Sequence, residues 1–193
     1  MDKTGIGTLT LSGSNSYLGA TTVSAGKLIV NSIYNRSAIT VKNGGTLGGT
    51  GALKSVTLDA GAILSAGNSP GTMTFDGAVI LSAGSTNIME IFTSGFDVLE
   101  GAATNTLTLA GVNIFDFSGN TVTNGATFAV FQNWGTITDS GATFTGINMG
   151  AGQSVTFDIT DGTGVLTVVP EPAVIGLLGL GAIITLLARR FKS

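Results

Sequence analysis

Val23-Ser24-Ala25-Gly26, Val41-Lys42-Asn43-Gly44, Leu58-Asp59-Ala60-Gly61, Leu81-Ser82-Ala83-Gly84 and Val122-Thr123-Asn124-Gly125 share one pattern: an aliphatic residue, two residues, then glycine. An apolar residue follows each glycine within two to four positions. The glycine spacings are 18, 17, 23 and 41, the last near twice the others. A period of about 20 residues suits a coil of two or three short strands joined by tight corners. Glycine supplies the left-handed backbone that such corners need. Stacked coils bury a column of aliphatic side chains, and each lends its edge to the next. The pattern therefore predicts a parallel β-helix. The competing architecture for the same strands is a β-sandwich.

The runs between the corners support the period. Thr8–Leu11, Lys27–Val30, Ala38–Val41, Ser55–Leu58, Val79–Leu81, Thr106–Leu109, Thr127–Phe131 and Val155–Ile159 are short and β-prone. Most alternate an apolar residue with Thr or another small one, the period-2 signature of a half-buried strand. No helix-period stretch occurs before Pro170. Ser69-Pro70-Gly71-Thr72 has the chemistry of a type II turn. Thr160–Thr163 reads as a hairpin turn between Val155–Ile159 and Val165–Val169.

After about residue 86 the text changes. The glycine corners spread out, and Phe92, Phe96, Phe115, Phe117, Phe128, Phe131 and Trp134 appear. This region reads as wider terminal coils or a capping β-subdomain, because an open last coil invites edge-to-edge association. The expected organisation is β-helix coils over 1–85, terminal coils or a cap over 86–169, and a separate C-terminal signal over 170–193.

That signal has three parts. Pro170-Glu171-Pro172 blocks helix formation. An uncharged apolar run follows over 173–188, then Arg189-Arg190-Phe191-Lys192-Ser193. The run predicts one short transmembrane helix, with Arg189, Arg190 and Lys192 as a cytoplasmic basic stop. Sixteen apolar residues rise ~24 Å as a helix, against roughly 30 Å of hydrocarbon. The span is marginal, which suits a processing handle better than a permanent anchor.

Composition removes several functions. The chain has 193 residues, 30 of them Gly, with 10% charged and neither Cys nor His. No disulfide framework or thiolate metal site can form, and no His-based nucleophile system. Residues 1–169 carry five basic side chains against ten acids, a formal charge of −5. Nucleic acid, which needs a basic face, is not an expected partner. Met1-Asp2-Lys3-Thr4-Gly5 has neither a basic nor an apolar leader region, so the expectation is a C-terminal piece of a longer exported product.

Other sites weigh less. Asp97 with Glu100, and Asp158 with Asp161, could pair as acid and base in a glycan-cleaving groove. The plainer reading is solvated acids at strand ends and turns. Thr-x-Thr triplets at 8/10, 72/74, 106/108, 136/138 and 143/145 are too irregular for an ordered Thr face. The acids do not follow a calcium-loop pattern. No catalytic, cofactor-binding or metal residues are expected.

Two stretches resemble known families. Pro170-Glu171-Pro172, the apolar run and Arg189-Arg190 resemble the PEP-CTERM sorting signal of Gram-negative bacteria. The resemblance implies recognition by an exosortase-type membrane protease, transient inner-membrane anchoring with a cytoplasmic C-terminus, and delivery to the cell surface or beyond. It also makes extracellular polysaccharide a candidate partner. Gly5–Tyr17, running into Thr21–Leu28, resembles the autotransporter-associated, or passenger-associated, β-strand repeat. Gly48-Gly49-Thr50-Gly51 and Gly67-Asn68-Ser69-Pro70-Gly71-Thr72 are similar to the segment that usually follows it. Leu18, Ala20 and Ala66 depart from the usual Thr, Gly and Pro. This resemblance implies a right-handed β-helix on a bacterial surface. The expected function is a non-enzymatic structural or adhesive surface protein. The alternatives are a polysaccharide-active enzyme, or a fragment whose active domain lies upstream.

Overall fold

A computed structural model describes residues 1–13, 18–34, 36–67, 70–118 and 121–171. The described residues are all β, and most strands pair in parallel. The first coil supplies β1 (Asp2–Lys3) and β2 (Thr8–Leu11). The second has β3 (Thr21–Val23), β4 (Gly26–Val30) and β5 (Ile33–Tyr34); the third has β6 (Ile39–Val41), β7 (Gly45–Gly49) and β8 (Ala52–Leu53). The fourth has β9 (Val56–Leu58), β10 (Ile63–Ala66) and β11 (Thr72–Phe75). The fifth has β12 (Val79–Leu81), β13 (Thr86–Phe92), β14 (Gly95–Phe96) and β15 (Val98–Glu100). The sixth has β16 (Thr106–Leu109), β17 (Val112–Asp116) and β18 (Thr127–Gln132). Finally come β19 (Thr136–Asp139), β20 (Thr143–Ile147), β21 (Gln153–Thr160) and β22 (Thr163–Pro170).

These strands sort into three sheets by their place in the coil. β1-β3-β6-β9-β12-β16-β19 form the first sheet and β2-β4-β7-β10-β13-β17-β20 the second. β5-β8-β11-β15-β18 continue the third, which β22 and β21 then extend. The first two sheets are parallel throughout, apart from the short β13–β14 hairpin. This is the stacked arrangement of a β-helix, and a sandwich does not describe it.

The repeat positions explain the stack. Val23, Val41, Leu58 and Leu81 lie in register on consecutive coils of the first sheet. Each is at most 1% exposed. Full burial of such a side chain contributes roughly 1.5–3 kcal/mol, so the column is a principal source of stability. The glycines three residues later turn the corner into the second sheet. Gly26, Gly44, Gly61 and Gly84 have φ of 69°, 82°, 77° and 80°, where a side chain is strained.

The fifth copy of the pattern has another role. Leu109, not Val122, stacks on Leu81. The sixth coil turns at Ala110-Gly111, two residues shorter, because Thr86 pairs with Val112 as Leu81 pairs with Leu109. Gly125 has the same left-handed backbone, φ 89°, but stands before β18, and its amide donates to Val168 O at 2.8 Å. The spacing of 41 thus joins two different kinds of corner.

All three sheets continue across residue 85, the first two as far as β19 and β20, which ends at Ile147. There the topology changes. β22 pairs antiparallel with both β18 and β21, and the Asp161-Gly162 turn closes the hairpin at φ 47° and 72°. Phe157 of β21 folds over the last coil. Its ring lies 4.1 Å from Phe144, nearly parallel, and 5.5 Å from Phe131, edge on. Trp134 locks the side of this cap: its Nε1 donates to Leu99 O at 3.1 Å and its amide to Gly162 O at 3.0 Å.

Candidate functional site

One of the paired acids departs from the sequence expectation. Asp97 is not a solvated strand-end acid but fully buried. Its Oδ1 accepts from the Gly71 amide and its Oδ2 from the Glu90 amide, both at 2.9 Å. Burial pushes its carboxyl up to about 6, against the pull of those two amides. It ties the β13–β14 excursion to the preceding coil. Glu100, half-buried, accepts from Asn133 Nδ2 at 2.7 Å. Asp158 and Asp161 are exposed on the cap hairpin. Asp97, with both oxygens occupied by backbone amides and no exposure, is built as a structural clamp. Among the described residues no group of three His, Cys, Asp or Glu could hold a metal ion.

An open groove of about 440 Å³ lies among the described residues. It lies where two consecutive coils leave the regular path. Residues 92–96, the tip of the β13–β14 hairpin, form one side; residues 121–123 and 126–128, leading into β18, form the other. Phe92, Phe96 and Phe128 supply its apolar surface, with five hydroxyls from Thr93, Ser94, Thr121, Thr123 and Thr127. None of its lining residues is ionisable. Phe96 meets Phe128 edge to face at 5.4 Å, and Phe117 braces Phe128 from the core side at 6.0 Å. The sequence showed the aromatics of this region but not that they divide between cap and groove.

A second surface also escaped the sequence reading. Thr22, Thr40, Thr57, Ile80, Thr108 and Thr138 lie in register along the outside of the first sheet. Neighbouring members of such a file stand ~4.8 Å apart. The Thr residues are thus more ordered than the irregular triplets suggested. The available signal was the residue just before the repeat aliphatic, which is Thr in Thr22-Val23, Thr40-Val41 and Thr57-Leu58. A third missed feature is internal. Asn87 and Asn113 replace the Leu28, Leu47, Leu64 column, and Asn87 Nδ2 donates to Asn113 Oδ1 at 3.1 Å.

Of the segment expected to act as a sorting signal, Pro170 and Glu171 are described. Pro170 ends β22 opposite Gln153, and the Glu171 amide donates to Gly152 O at 2.8 Å. Pro172, the 173–188 segment, Arg189, Arg190 and Lys192 lie outside the described residues. Among the described residues no helix is long and apolar enough to cross a membrane.

Residues 1–30 match the family model for the passenger-associated-transport-repeat. They span β1 to β4, including the first left-handed corner at Gly26. No curated protein matches the chain. The repeat and the stacked parallel sheets fit a passenger-type surface protein, secreted or held at the cell surface.

Proposed function

We propose that this protein is an exported, right-handed β-helical rod that works at the cell surface in a structural or adhesive capacity, without catalysis. The observation that carries the reading is the passenger-associated repeat at residues 1–30, seated on a parallel three-sheet stack. A ladder of this kind satisfies its backbone groups internally and buries its side chains in continuous columns. The result is a stiff body with a sparsely charged, Thr-rich outside. The burial of Asp97 speaks against a polysaccharide-active alternative built on that carboxylate.

Delivery is assigned to the C-terminal segment. Pro170-Glu171-Pro172 would be recognised by an exosortase-type protease, while residues 173–188 hold the chain transiently in the inner membrane and Arg189, Arg190 and Lys192 keep its end cytoplasmic. The body is then released or attached at the surface, with envelope or biofilm-matrix polysaccharide as its partner. The test is the C-terminal mass of the protein recovered from its host, membrane and medium separately. Release of a form lacking the residues after the Pro-Glu-Pro tripeptide supports sorting. An intact Arg189–Ser193 end found only in membranes makes the segment a plain anchor and defeats the sorting reading.

A further inference from the structure

We propose that the groove between residues 92–96 and 121–128 binds a neutral oligosaccharide. Its volume, about 440 Å³, lies within the ~300–1,000 Å³ of small-molecule sites. Its lining fixes the ligand class. With no ionisable side chain, it offers nothing to offset the desolvation of a charged ligand. A purely apolar ligand, such as a lipid chain, would take the exposed hydroxyls of Ser94, Thr121, Thr123 and Thr127 out of water with nothing in return. A neutral sugar has both halves of the match, with C–H faces to lie on Phe rings and a rim of hydroxyls for Ser94 and Thr123. Thr93, Ser94 and Thr123 are exposed, and Phe92 is half-buried beside them.

The groove is built on an excursion from the coil: β13 runs on to Phe92 and returns through Gly95-Phe96 before resuming the third sheet at Val98. Asp97 stakes the base of that excursion to Gly71 and Glu90. Phe117 and Phe128 support the facing side. The groove is thus held on both sides by buried groups, and a rigid site loses less entropy on binding.

The experiment titrates the full chain, in detergent where its C-terminal segment requires it, with maltohexaose, cellohexaose and laminarihexaose. An acidic hexasaccharide of galacturonate serves for comparison. Saturation-transfer NMR and calorimetry read the binding. At least one neutral hexasaccharide should bind and the acidic one should bind more weakly. Phe92→Ala should weaken binding roughly fivefold, the scale of a lost aromatic contact. Thr123→Val, which keeps shape and drops one hydroxyl, should weaken it about two- to threefold. Ile80→Ala, on the first sheet, should leave it unchanged, and circular dichroism should be the same for all variants. Thr123→Val carries the test by itself if Phe92→Ala does not fold. The proposal is overturned by an absence of binding to all three neutral sugars, by preference for the acidic one, or by indifference to both groove substitutions. This binding does not depend on where the protein resides, so its failure leaves the surface reading to the fractionation test, and the reverse also holds.

Discussion

Leu9 and Phe144 terminate the same internal column, which runs Leu9, Leu28, Leu47, Leu64, Asn87, Asn113, Phe144 through the second sheet. At the N-terminal end of the described stack Leu9 is 36% exposed, and neighbouring Ile6 is 94% exposed. At the other end Phe144 lies under the Phe157 ring, 4.1 Å away. The first sheet shows a second contrast. Its column begins at Lys3, whose Nζ donates to Gly5 O and to Ala25 O, and ends at exposed Asp139. In a stack, a side chain is covered mainly by the coil above and the coil below. An end member can be covered by a cap, as the aromatic hairpin covers Phe144, or carry a charge that stands in water, as Lys3 and Asp139 do; Leu9 instead leaves part of its side chain exposed.

The largest effect belongs to the middle of that column. Leu47→Ala removes a fully buried side chain flanked by Leu28 and Leu64. It should cost about 2–5 kcal/mol, because adjoining coils cannot collapse into the gap without breaking their ladders. Urea unfolding followed by circular dichroism checks this. A loss below ~1 kcal/mol would mean that the column does not hold the coils together.

Next comes the cap. Phe157→Ala deletes the ring that Phe144, Phe131 and Phe115 share. Phe157 is half-buried, so the expected cost is about 2–4 kcal/mol, under the ~3–5 of a fully buried Phe. It should also expose the last coil and raise self-association, visible by light scattering. If Phe157→Ala stays monodisperse, the hairpin stabilises the end without guarding it.

Much of this comparison was legible in the sequence. Gly26, Gly44, Gly61 and Gly84 announce their corners because left-handed backbone excludes most side chains. The cap turn at residues 160–163 is equally local. What failed depends on neighbours 20–30 residues away. Val122–Gly125 copies the corner pattern, yet only the pairing of Leu109 with Leu81 shows which glycine turns the sixth coil. Asp97 looks like any strand-end acid, since nothing local tells that Gly71, 26 residues back, will supply an amide to its carboxylate. The groove needs two excursions from different coils, which no single stretch contains.

Asp97 gives a smaller, pH-coded effect in the capped half. Its folded carboxyl is pushed up from 3.8 to about 6 by burial. The folded state therefore holds the proton more tightly than the unfolded chain. This contribution to stability is fully present below about pH 4 and is lost as pH rises through 6. The change is on the order of 1–3 kcal/mol and flattens above that window. Asp97→Asn should abolish the slope between pH 4 and 6 while lowering stability overall, because one amide loses its charged acceptor. An unchanged slope would assign the pH dependence to another group.

The smallest effect sharpens the contrast between an end of the column and its middle. Leu9→Ala makes the same chemical change as Leu47→Ala in the same column, but at a residue already 36% exposed with one stacked neighbour, Leu28. Less area is removed from water in the folded state, and no closed cavity forms, so the cost should stay below ~1 kcal/mol. The ratio between the two substitutions is more informative than either value, since both refer to the same unfolded chain. If Leu9→Ala proved as costly as Leu47→Ala, Leu9 would have to be covered in solution by something stacked on the first coil. Repeating both measurements across a hundredfold range of protein concentration then identifies the cover: a cost that grows with concentration means a second copy, because only association makes stability depend on mass action.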